Sequence, residues 1–109
     1  MSEVFHLKRG DTSPRLAKQL LDHDGAAVSL SGATVVFHMK DGDGNVVVDG
    51  GAATVTDAAA GEVRYDWQAG DTDEAGIFYG EFEVTYADAS VETFPNSGYL
   101  TIAITADIA

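Results

Sequence analysis

The feature that most constrains this chain is a short-range alternation of apolar and polar residues, cut at close intervals by glycine turns. Side chains two residues apart lie on the same side of an extended strand, so a period of two predicts strands with one buried face. Residues 34–40 place Val35, Phe37 and Met39 on one face. Residues 62–67 turn Val63, Tyr65 and Trp67 one way and Glu62, Arg64 and Asp66 the other. Residues 78–86 repeat the scheme, with Phe78, Phe82, Val84 and Tyr86 inward and Tyr79, Glu81, Glu83 and Thr85 outward. Gly80 falls on the inward side, where a missing side chain admits a bulky neighbour such as Trp67. Leu100, Ile102 and Ile104 alternate near the end.

Shorter strands are predicted at 4–8, 46–48, 53–56 and 91–94. Residues 15–22 fit a helical face or a strand, and the strand is preferred because Gly25 leaves little length for a helix. Turn signals such as Asp24-Gly25, Asp41-Gly42-Asp43-Gly44-Asn45 and Gly70-Asp71 recur about every 8–12 residues, the rhythm of an all-β sandwich. No long helix-period segment alternates with the strands, which argues against an α/β fold. The 109 residues read as one domain, 1–109, an immunoglobulin-like antiparallel β-sandwich. Gly-Asp-Thr occurs twice, at 10–12 and 70–72, with unlike flanks, so it reads as reused turn chemistry.

Charge excludes several functions. Six Lys and Arg against 18 Asp and Glu leave a net charge of −12, which repels phosphate backbones and anionic membranes alike. The expectation is therefore no nucleic acid and no membrane partner. The same excess suits either plain solubility or a high-salt host, where screening removes the self-repulsion. There are no cysteines, so thiolate chemistry is absent, and no signal peptide is visible at the start.

Candidate chemistry is sparse. Asp41-Gly-Asp-Gly-Asn45 begins like a calcium-binding EF-hand loop, but position 46 is Val where that loop needs Gly and position 52 is Ala where it needs Glu. A hairpin turn explains it better. Asp71-Thr72-Asp73-Glu74 offers paired carboxylates, yet such side chains at a turn bond the local backbone more often than they do acid–base work. His6, His23 and His38 lie in different segments without zinc-ligand spacing. The expectation is no catalytic residue, no metal and no cofactor. Val36, Ile77 and Tyr79 point away from the predicted core, which fits either strand propensity alone or a patch that packs on another subunit.

Three stretches carry a family resemblance: 30–40 (Leu-Ser-Gly-Ala-Thr-Val-Val-Phe-His-Met-Lys), 65–86 and 92–99, with Gly10-Asp-Thr-Ser-Pro14 before them. Within them Trp67, Gly70, Asp71, Asp73, Gly76 and Phe82, followed by Phe94 and Pro95, keep order and spacing. The chain resembles the immunoglobulin-like N-terminal domain of phage baseplate upper proteins. That resemblance implies a non-enzymatic virion structural protein of a tailed virus, a tail or baseplate subunit docking to other virion proteins in several symmetric copies. It would be made in the host cytoplasm and reside in the virion, and the acidic excess would suit a halophilic host. The tyrosine of the family's strand corner is displaced here, with Phe at 78 and Tyr at 79. The alternatives are a carbohydrate-binding or adhesion module, with or without calcium, and a capsid decoration or turret protein.

Overall fold

A computed structural model describes residues 4–108. Among these residues nine strands form two packed sheets: β1 (Val4–Lys8), β2 (Leu16–Gln19), β3 (Thr34–Asp41), β4 (Val46–Ala52), β5 (Thr54–Asp57), β6 (Glu62–Tyr65), β7 (Gly76–Thr85), β8 (Val91–Phe94) and β9 (Leu100–Thr105). One sheet runs β1-β9-β7-β3-β4 with β8 also on β7, and the other runs β2-β6-β5. This is the immunoglobulin-like arrangement: three strands in one layer, and in the other a hairpin-linked set with the first strand laid against the last. β1 pairs β9 in parallel and every other ladder is antiparallel.

The alternation sorts side chains as the sequence predicts. Val35, Phe37 and Met39 from β3, Val63 and Tyr65 from β6, and Phe78, Phe82 and Val84 from β7 are all buried. Phe37 from one sheet stacks on Tyr65 from the other at 4.7 Å between ring centroids. Trp67 meets both edge-on, at 5.8 and 5.3 Å. Such ring pairs add about 0.5–1.5 kcal/mol each to what their burial contributes. The strand of Trp67 ends earlier than predicted, at Tyr65, but the indole stays buried because its N–H donates to the carbonyl of Pro14 at 3.0 Å. Tyr86 is only half-buried, packing against the rim of the core.

Close approach places Gly80 and Gly61, as it does Gly51 beneath Tyr65. A Cβ on Gly80 would lie 2.8 Å from Phe37 and 2.9 Å from Ile102, so the gap admits a bulky neighbour as predicted, with Phe37 nearest where the sequence offers Trp67 as the example. Gly61, in the left-handed region at φ +67°, lets the carbonyls of Val28 and Leu20 come within 2.7 and 2.8 Å of where a Cβ would stand. The segment 15–22, read as strand, contributes only the four residues of β2.

β7 is the central organiser. It pairs β3 on one flank, from Phe78 to Thr85. Its other flank is shared: β8 opposes Phe82 to Thr85, and β9 opposes Gly76 to Gly80. With Phe94 opposite Phe82, an uninterrupted ladder would put Asn96 opposite Gly80, yet Leu100 stands there. The chain leaves the sheet after Phe94, where Pro95 cannot donate to a ladder, and returns at Leu100. Tyr99 is carried on that excursion.

Candidate functional site

Register builds a continuous surface on the solvent side of the larger sheet. Val4 opposes Thr101, Thr101 opposes Tyr79, Tyr79 opposes Lys40 and Lys40 opposes Val46, one row across five strands. The next row along β7 and β3 is Glu81 opposite His38, and the one beyond is Glu83 opposite Val36. Tyr99 comes down from its loop beside Tyr79, with ring centroids 5.8 Å apart and planes inclined at 51°. Lys40 lays its ammonium over the Tyr99 ring, 4.6 Å from the centroid, and donates to the Tyr99 hydroxyl at 3.2 Å. The result is a groove of about 320 Å³ whose walls include Tyr79, Tyr99, Lys40, His38, Glu81 and Asp49.

His38 is held from both sides. The Gly50 amide donates to its Nδ1 at 3.0 Å, and its Nε2 lies 2.9 Å from Glu83 Oε1. An Nδ1 that accepts leaves the proton on Nε2, so that nitrogen donates to the carboxylate. In this tautomer neither nitrogen presents a lone pair to a metal. Among the described residues no three His, Asp or Glu converge as a ligand set. Asp41, the first residue of the calcium-like loop, spends its oxygens locally. Oδ1 accepts the amides of Asp43 and Asn45 at 2.9 Å, and Oδ2 accepts the Asn45 side chain at 2.9 Å. Those bonds, the Asn45 side chain's foremost, hold its pKa below the ordinary carboxylate value. The loop is a hairpin turn, with Gly44 at φ +92°.

The hydroxyl–carboxylate pairs also serve turns. Ser90 bonds Asp88 between β7 and β8, and Tyr86 donates to Glu92 at 2.7 Å. Tyr65 donates to Asp71 at 2.5 Å, and the same Asp71 oxygen accepts the Gln68 amide at 2.8 Å. Burial first, then the Asp71 carboxylate, drives the Tyr65 pKa far above the ordinary phenol value. The tyrosine hydroxyl that anchors a turn here is that of Tyr65 at the end of β6, while Tyr79 on β7 lies on the outer face, consistent with the displaced tyrosine noted in the sequence.

The residues that carried the family resemblance have interior or turn duties. Trp67, Phe82 and Phe94 are core. Gly70, at φ +96°, and Asp71 shape the turn after β6, Asp73 is exposed nearby, Gly76 opens β7, and Pro95 follows β8. Of the outward set, Tyr79 lies in the groove, Ile77 stands beyond it with 51% of its surface exposed, and Val36 is on the far side of the His38–Glu81 row. The three do not form one patch. Lys40, Tyr99, His38 and Glu81 were not singled out as a site by sequence, although alternation puts 36, 38 and 40, and likewise 79 and 81, on shared faces. Tyr99 carried no such signal.

No family model matches the chain, and no curated protein does. Among solved structures it is similar to CopC from Methylosinus trichosporium OB3b, with a TM-score of 0.57 and 15% sequence identity over 99% of this chain and 89% of that one. The likeness shows the fold alone. It also corrects the functional expectation: a chain-long likeness to CopC gives no support to a virion role, and the assignment to a virion tail subunit is withdrawn. The physical reason is visible in the motif block, whose members fill the core or set turns and so report a sandwich, not a role.

Proposed function

We propose that this chain is a non-catalytic binding module that receives its partner on the outer face of the six-stranded sheet, in the Tyr79–Tyr99 groove. The observation that carries this reading is the pair of tyrosines set outside the core, with Lys40 seated on one of them. Aromatic rings in a concave, partly polar surface give large contact area at little cost in side-chain freedom, the pattern of binding surfaces. Catalysis is not supported, because the acid and hydroxyl groups that pair do so at separate turns and His38 is engaged at both nitrogens.

The test is amide chemical-shift mapping of the isotopically labelled domain against a mixed library of short peptides. Ligands should shift residues 38–40, 79–81 and 99. Binding that maps only to the smaller sheet, or no binding by any member, overturns the reading.

A further inference from the structure

We propose that the groove accepts an arginine-rich segment of a partner protein, an inference that rests on the binding-face reading above. Three observations converge. The chain carries a net charge of −12, so its surface attracts cations over a Debye length and discourages anions. The groove joins two tyrosines to two carboxylates, Glu81 and Asp49, in its walls. Finally, the site already holds a cation: Lys40 lies over the Tyr99 ring at 4.6 Å and donates to its hydroxyl. That internal ammonium displays the chemistry the groove selects.

An arginine side chain fits these groups better than lysine does. Its planar guanidinium stacks on an aromatic face, where the ring's negative quadrupole attracts it. Its fork of N–H groups also suits a carboxylate such as Glu81. A segment laid across the strands would follow the row from Val4 to Val46, its apolar positions resting on those exposed valines, 44% and 63% accessible. In this arrangement Lys40 is a competitor. It occupies the Tyr99 ring and repels an incoming guanidinium, so it sets the affinity by having to move aside.

The competitor role gives a test with opposite signs for opposite ligand classes. The probes are a short peptide alternating Arg and Ser and its Glu-containing counterpart, titrated calorimetrically at low ionic strength, with amide shifts recorded. The Arg peptide should bind and move residues 38–40, 79–81 and 99. Tyr99→Ala should weaken it at least about threefold, and Lys40→Met should tighten it by a similar factor. Glu74→Gln, in the loop before β7 and off the face, should leave it unchanged. Melting of each variant checks its fold, and Lys40→Met alone remains decisive if Tyr99→Ala unfolds. Arg-peptide binding that ignores both groove substitutions is diffuse attraction and overturns the inference. So does preference for the Glu peptide with loss on Lys40→Met, which leaves the binding face standing. If neither peptide binds while other library members map to the groove, only this inference falls.

Discussion

Gly10 donates its amide to the carbonyl of Thr72 at 2.9 Å, and Thr72 returns its hydroxyl to the carbonyl of Asp11 at 2.8 Å. The two Gly-Asp-Thr tripeptides therefore clasp one another, tying the exit of β1 to the approach of β7. Thr72 is 1% exposed, the one polar residue among the described residues buried as deeply as the core. Thr72→Val keeps the shape and removes the donor, leaving the Asp11 carbonyl without this partner. The expected cost is about 1–2 kcal/mol, read as a lower urea midpoint with an unchanged slope. An unchanged midpoint would remove the clasp from the list of stabilising contacts.

Gly80→Ala should destabilise by about 1–3 kcal/mol, because its Cβ lands 2.8 Å from Phe37 and 2.9 Å from Ile102. Ile102 is fully buried, and Phe37 is wedged against Tyr65, Trp67 and Phe82. Gly42→Ala, with nothing within 4 Å, is the control and should be close to neutral. Equal melting temperatures for the two variants would contradict the packing argument.

Alkali should unfold the domain through its phenols. Burial, then the hydrogen bond to Glu92 and that residue's charge, push Tyr86 up to about 12. A folded-state pKa above the unfolded value of 10.0 contributes stability that is intact below pH 10.0 and is lost as pH rises through about 12. Tyr65 is raised in the same direction and adds to the loss. Thermal melts from pH 9 upward should fall over this window, and Tyr86→Phe should flatten the fall. A melting temperature that stays level through it would show that these phenols are not protected by the fold.

Calcium should leave the melting temperature where it is. Asp41 already satisfies both carboxylate oxygens with Asp43 and Asn45, so an ion would have to break three bonds that shape the turn. A calcium-dependent rise that Asp41→Asn abolishes would reverse this view of the loop.

Salt should stabilise. Arg9 is paired with Asp107, and Arg15 and Arg64 share Asp66, but six cations cannot neutralise 18 acids, so many of the acids repel one another. Screening weakens that summed repulsion more than it weakens close ion pairs such as Arg9–Asp107. A gain of about 1 kcal/mol would raise the melting temperature by roughly 4–8 °C between low and molar sodium chloride. A decrease would mean that the ion pairs outweigh the net charge.

Much of the fold was legible because strand alternation is a local signal. Val35, Phe37 and Met39 declare their face without knowing which strand lies beside them, and β1, β8 and β9 fall where pattern and turn residues place them. What stayed hidden depends on pairing. Nothing local says that Lys40 opposes Tyr79, or that the neighbours Gly80 makes room for are Phe37 and Ile102. Tyr99 was out of reach for the same reason, since its place follows from a four-residue shift in how two strands meet β7. The motif block misled for the opposite cause. Trp67, Asp71 and Phe94 are informative about a sandwich and silent about what it touches.

The excursion between Phe94 and Leu100 has an architectural consequence. Both its ends are pinned to the same flank of β7, so its length is uncoupled from every ladder in the molecule. Splicing a longer or different segment between those two anchors would re-tailor the wall that bears Tyr99 while the scaffold kept its alignment. Specificity in such a chain is thus free to diversify at one graft point without renegotiating the rest.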